Sequence, residues 1–424
     1  MFKLIKKQTM AGISREFLSA NNDGFDVHLQ GNKSSFLGRP HHLSSNFIMG
    51  HSDVSANNTP ALGGNGVFTI PQDCDFLGKI DAVYKLGALT STGSGANFPR
   101  WVDWLGFALI ENVLVKWASN RIQEFNGDDL MVLHCLNRRS DDSLEDLVYG
   151  GLQSIPSERA DLATAELEVV VPLDCLIFSA RPAQYLPYNI EVVRDTLRIE
   201  IRNRPLVSVA ESDASSISIA SFDQFLRVYR VHVTEDEQNA ILAEAGGVNP
   251  ELEVAALSRV CTVQEHQDDN IIANQTTSQS IKMPSINRPT KELIIYGRQD
   301  SDLPSGSATS SSINRFNFQE IDNLELKGYG RTILPSTSGR YVKYRMGNMY
   351  HAADPSKNLY CISHSLAPQS PGDQYGYLNY NTISNPELIY KMPSTWSTTG
   401  KMNILAQTHN VYMVTQGDVR VINA

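Results

Sequence analysis

Apolar and polar residues alternate most clearly near the middle of the chain, in the stretch from Leu167 to Val207. There Leu197, Ile199 and Ile201 fall on one side of an extended backbone and Arg198, Glu200 and Arg202 on the other, the pattern of a strand with one buried and one wet face. The same period of two runs through residues 109–117, where Val113, Val115 and Trp117 oppose Leu114 and Lys116. Further strands are predicted at 67–70, 77–86 and 130–136, in FLRVYRVHV (225–233) and in KELIIYG (291–297). GRYVKYRMG (339–347) also reads as a strand, with Val342, Tyr344 and Met346 on one face. Turn-forming clusters such as GALTSTGSGANFP (87–99) and NGDD (126–129) separate these runs, and residues 25–66 read as short strands and turns. Many short strands with regular punctuation predict an all-β sandwich or barrel.

One segment carries a full set of helix signals. Thr234 is placed as an N-cap with Glu237 three residues on, acidic residues fill the first turn, and Gly246 and Gly247 supply the stop. Because this helix follows a whole domain's length of strand signal, the expected division is an arm at 1–24, a first β domain at 25–233, a helical linker at 234–257 and a second β domain at 258–424. Residues 137–166 are polar, with Ser143 to Tyr149 as a short helix candidate, and 301–316 read as a flexible loop.

Several of these stretches, taken in order, resemble the major capsid proteins of nucleo-cytoplasmic large DNA viruses. The first is VPL followed by LPY and the strand around Ile199; the second runs from VFTIP at 67–71 through the tryptophan-rich WVDWLGFALI at 101–110. The third is NLYCISHSLAPQSPGDQYGYLNYNTISNPELIY (358–390), and the last is the terminal KMNILAQTHNVYMVTQGDVRVINA (401–424). Matching positions include Tyr360, Leu366, Pro368, Pro371, Asn379, Ile383, Asn410 and Gly417. The chain departs from the family pattern at Ser370, Pro371 and Gly372, at Asn379, Tyr380 and Asn381, and at Thr382, where the family carries Arg.

The resemblance implies two consecutive eight-stranded jelly-roll sandwiches in one chain, a double jelly roll with a short helical linker. It further implies a structural, non-enzymatic role: homotrimers with a pseudo-hexagonal outline that tile an icosahedral shell, contacting neighbouring capsomers and minor capsid proteins. The expected location is the virion capsid, assembled in the cytoplasm of the infected cell. A minor capsid or scaffold protein of the same fold, and a jelly-roll carbohydrate-binding protein or glycoside hydrolase, are the alternatives.

Composition narrows the partners. The 424 residues, 41% hydrophobic and 19% charged, describe a folded chain long enough for two domains. A net charge of −10 argues against direct nucleic-acid binding, which needs Lys and Arg to neutralise phosphates. No apolar run reaches the length of a membrane span. The arm places Phe2, Leu4 and Ile5 among Lys3, Lys6 and Lys7, which suits an anionic inner membrane, a neighbouring subunit or a loose terminus, and carries no export signal. Cys74, Cys135, Cys175, Cys261 and Cys361 are scattered, without CxxC spacing, and read as buried free thiols.

Candidate chemistry is sparse. Gly127, Asp128 and Asp129 spell the metal-binding hairpin of template-dependent RNA polymerases, but such an enzyme would be larger and basic along its channel, and a tight Asn-Gly-Asp hairpin turn accounts for the letters. His266 with Asp268 and Asp269, and His41, His42 and His51 with Asp53, lack the spacing of a metal motif. GGNG (63–66) and GSG (93–95) read as turns, and the sequons at Asn32, Asn57 and Asn274 as chance. No catalytic, cofactor-binding or metal residues are expected.

Overall fold

The computed structural model describes residues 47–92, 99–117, 120–137, 156–173, 186–188, 196–211, 216–233, 248–249, 254–273, 277–303, 314–351, 358–368, 376–394, 396–415 and 418–421. The arm at 1–24, the helix expected from Thr234 and the helix candidate at Ser143 to Tyr149 lie outside them.

Eight strands build the first half: β1 (Phe47–Ser55), β2 (Asn65–Ile70), β3 (Phe76–Leu86), β4 (Ile110–Trp117), β5 (Asn120–Phe125), β6 (Leu167–Pro172), β7 (Leu197–Asn203) and β8 (Phe222–Val233). Eight more build the second: β9 (Val254–Ile271), β10 (Gln279–Lys282), β11 (Pro289–Gln299), β12 (Asn323–Gly328), β13 (Arg331–Ser338), β14 (Tyr360–Ser363), β15 (Glu387–Lys391) and β16 (Gly400–Thr415). In the first half the sheets run β1-β8-β3-β6 and β2-β7-β4-β5; in the second they run β9-β16-β11-β14 and β10-β15-β12-β13. Adding eight to each strand number converts one half into the other. Every pairing is antiparallel. Short accessory strands, such as Leu378–Asn379 on β11 and Asp418–Val421 on β16, extend the sheets.

The period-two readings explain these elements. In β7, Leu197, Ile199 and Ile201 are fully buried while Arg198 and Arg202 face solvent, and in β4 Val113, Val115 and Trp117 enter the same core. β11 is different, because it is buried on both faces: its centre, Leu293 to Gly297, is an apolar run, flanked by the buried charges Lys291, Glu292 and Arg298. Leu293 and Ile295 point into the core of the second sandwich, whereas Ile294 and Tyr296 join the apolar cluster of the first.

Two expected strands are helices. Residues 130–136 belong to α2 (Gly127–Asn137), which follows a short buried helix, α1 (Leu105–Leu109). Leu130, Met131, Val132, Leu133, Cys135 and Leu136 are all buried, and a segment buried all round has no periodicity to separate helix from strand. NGDD is therefore the start of a helix and not a hairpin turn. GRYVKYRMG likewise forms a wide helical turn at Tyr341–Met346 that continues into a last short helix, Gly347–Tyr350. Val342 and Met346 both pack toward the second core, and residues four apart share a face in a helix as they do in a strand. Tyr344 separates the two readings, because it is exposed.

Candidate functional site

The two sandwiches meet along a seam that is apolar at its centre. The first core continues across it into Val263, Ile294, Tyr296, Phe316, Phe318 and Leu405 of the second half, and the Tyr296 and Phe318 rings lie 4.7 Å apart. A buried charge cluster sits in this seam, built from the first turn of α2.

Gly127 makes the cluster possible. A side chain there would collide with the carbonyl oxygens of Phe107 and Ile110, so only glycine lets the helix start against α1 and β4. Asp129 reaches back to accept a hydrogen bond from the Asn126 amide at 2.8 Å, the return half of a capping box. With the turn held there, the neighbouring Asp128 carboxylate is buried and accepts four bonds from three guanidiniums. Oδ1 accepts from Arg204 at 3.0 Å and from Arg315 Nε at 2.8 Å; Oδ2 accepts from Arg298 at 3.0 Å and from a second Arg315 nitrogen at 2.9 Å. Arg204 follows β7 in the first half, while Arg298 lies on β11 and Arg315 follows in the second half, so one carboxylate ties both sandwiches together.

Electrostatics follow from this geometry. Burial would raise the Asp128 carboxyl, but Arg204, Arg315 and Arg298 outweigh it and hold the group well below the ordinary carboxylate range. Burial pulls the Arg204 guanidinium down to about 10 against the attraction of Asp128, which leaves it charged at neutral pH. Asp129 pairs with His266 of β9 at 3.1 Å. Burial opposes a charge on His266, yet Asp129 prevails and raises its affinity for a proton. Farther along, the Gln123 amide donates to Gln264 and to the Thr262 carbonyl, and Lys291 donates to Thr262 Oγ1 at 2.7 Å.

No protein-family model matches the sequence, and no curated protein matches it. Solved structures do match in shape. PBCV-1 VP54 superposes with a TM-score of 0.72 at 16% identity, over 92% of this chain and 100% of that one. The Faustovirus major capsid protein gives 0.66 at 11% identity, over 90% and 92% of the two chains. A chain of the Sputnik virophage particle gives 0.57 at 10%, over 92% and 90%. The chain has the double jelly-roll fold.

Within the double jelly roll the residues singled out by sequence separate. His266 turns to Asp129, while Asp268 pairs with Lys401 at 3.0 Å and Asp269 accepts from the Asn270 amide, so the three do not converge. Asp53 pairs with Arg227 and His51 lies beside the Tyr229 ring; His41 and His42 lie outside the described residues. Only the first half of GGNG is a turn: Gly63, at φ 76°, and Gly64 turn the chain and Asn65 and Gly66 begin β2, while Asn57 donates to Thr69 at 2.7 Å. Of the family-matching positions, Tyr360 accepts from the Ile321 amide at 2.7 Å and Asn379 caps the turn through the Asn381 amide at 3.1 Å. Sequence reading missed the arginines. One signal was available: Arg298 ends the otherwise apolar core of β11, and a charge in a strand buried on both faces needs a partner.

Proposed function

We propose that this double jelly-roll chain is a major capsid protein of a large double-stranded DNA virus, forming homotrimeric capsomers that tile an icosahedral shell. The repeated strand order carries this reading. Two sandwiches of one topology in each chain turn a threefold ring into six similar wedges, and a pseudo-hexagonal block closes a lattice that single wedges would need six chains to make. The buried seam serves that role, because the two wedges must hold one fixed angle for trimers to tile. The shape shared with PBCV-1 VP54 and the Faustovirus major capsid protein supports it.

In this reading the rolls occupy 25–233 and 258–424, the segment 234–257 links them, and the protein is a building block with no catalytic role. The basic arm at 1–24 contacts an inner membrane, loops between strands meet neighbouring capsomers and minor capsid proteins, and assembly takes place in the host cytoplasm. Light scattering on the purified chain is the test. A stable particle of three times 47.0 kDa is expected, and a monomer that binds glycans overturns the proposal.

A further inference from the structure

Away from the Asp128 cluster, the second roll holds a buried group of a different kind. Among the described residues, one set of metal-ligating side chains converges: Glu292, His351 and Cys361, whose donor atoms all lie within 4.8 Å of one another. Ile294 pairs with Cys361 across β11 and β14, so Glu292, two residues before Ile294, is a diagonal neighbour of Cys361 on the same face. His351 arrives just after the helix Gly347–Tyr350 and places Nε2 2.6 Å from Glu292 Oε1. The Glu292 and His351 side chains are 0% and 1% exposed, Cys361 is fully buried, and Glu292 Oε2 has no hydrogen-bond partner. A buried carboxylate oxygen without a donor is costly, and it marks a place where a positive partner belongs.

We propose that Glu292, His351 and Cys361 form a binding site for a borderline-soft divalent cation of the zinc class. The donor set decides the class: thiolate and imidazole favour zinc over magnesium or calcium, which take oxygen ligands. The three side chains supply three ligand atoms, and the fourth position of the tetrahedron falls to a water, as in three-ligand zinc sites. A dication against one carboxylate and one thiolate is neutral overall, which suits a buried position. Neighbouring ligands of a tetrahedral zinc stand about 3.5 Å apart, so on binding the 2.6 Å His351–Glu292 contact opens and the wider gaps close, each by about 1 Å. A cysteine binds such a cation as its thiolate, so binding releases the Cys361 thiol proton to solvent. No oxidation is involved.

The test uses the full chain, stripped with chelator and titrated with Co²⁺, and separately assayed for zinc by mass spectrometry after chelator-free purification. The expected result is one cobalt per chain with tetrahedral absorption and a thiolate charge-transfer band. Cys361→Ser should abolish that band, and His351→Gln should weaken binding beyond the roughly 100-fold typical of changes outside the ligand shell. The wild-type spectrum decides even if a variant fails to fold. Absence of the charge-transfer band, or equal zinc content in wild type and Cys361→Ser, overturns the site. Capsomer assembly is read separately by light scattering, so loss of either conclusion leaves the other standing.

Discussion

Asp128 and Glu292 are both carboxylates withdrawn from water, and the chain treats them in opposite ways. Asp128 accepts four hydrogen bonds from three guanidiniums, so its local charge is overcompensated, whereas Glu292 meets one imidazole and the weak donor Cys361, and among the described residues no charged group other than His351 faces it. The first arrangement is complete and joins residues of both rolls; the second is incomplete and draws its residues from the second roll alone, although Cys361 packs with the first core. A finished cluster of fixed donors holds two bodies in register, since removing its single carboxylate leaves three buried guanidiniums without a counter-charge. An unfinished one has room for a further positive group. The difference between joint and binding site is thus a difference in satisfaction and not in burial.

The largest expected effect comes from breaking the finished cluster. Asp128→Asn strands three guanidiniums in the seam and should cost about 3–5 kcal/mol, the usual penalty for half of a buried ion pair, read as a shift of the denaturant midpoint. Gly127→Ala attacks the same cluster through the backbone, since the added methyl must push α2 away from Phe107 and Ile110; a loss of about 1–3 kcal/mol is expected by the same measurement. Glu292→Gln should cost less than Asp128→Asn, about 1–2 kcal/mol, because it removes an under-satisfied charge and keeps the shape. If the two variants lose equal stability, the contrast between the carboxylates is void.

Acidity gives a finer probe. Asp128 has a folded pKa below its unfolded value of about 3.9, so its contribution is fully present above that pH and is lost as pH falls through the folded value. Acid unfolding of the wild type should begin below the ordinary carboxylate range, and Asp128→Asn should remove that part of the pH slope. His266 has the opposite sign. Its raised folded pKa gives a contribution complete below the unfolded value of about 6.5 and lost as pH rises through the folded value. The side chain is 39% exposed and screened by water, so the effect is the smallest here. His266→Ala should flatten the stability slope above about pH 6.5, and an unchanged slope would assign no energetic role to the pair with Asp129.

Residue order was enough for elements whose two faces differ. β4 and β7 carry their burial in the alternation itself, and the centre of β11 announces its double burial by the apolar run Leu293 to Gly297. It was not enough where both faces are apolar, as in α2, or where the informative positions stand four apart, as Val342 and Met346 do. The joint was invisible for another reason. Asp128 lies 76, 170 and 187 residues from Arg204, Arg298 and Arg315, and no local pattern links residues so far apart.

Read alone, then, the chain of amino acids determined that this protein is largely a succession of strands and which residues of β4 and β7 face the core, because the period of a strand is a local property of the backbone. Which carboxylate would be saturated with arginines and which left short of a donor was decided only when distant strands packed together. Satisfaction of a buried charge depends on whatever neighbours the tertiary structure delivers, and those neighbours are set by topology.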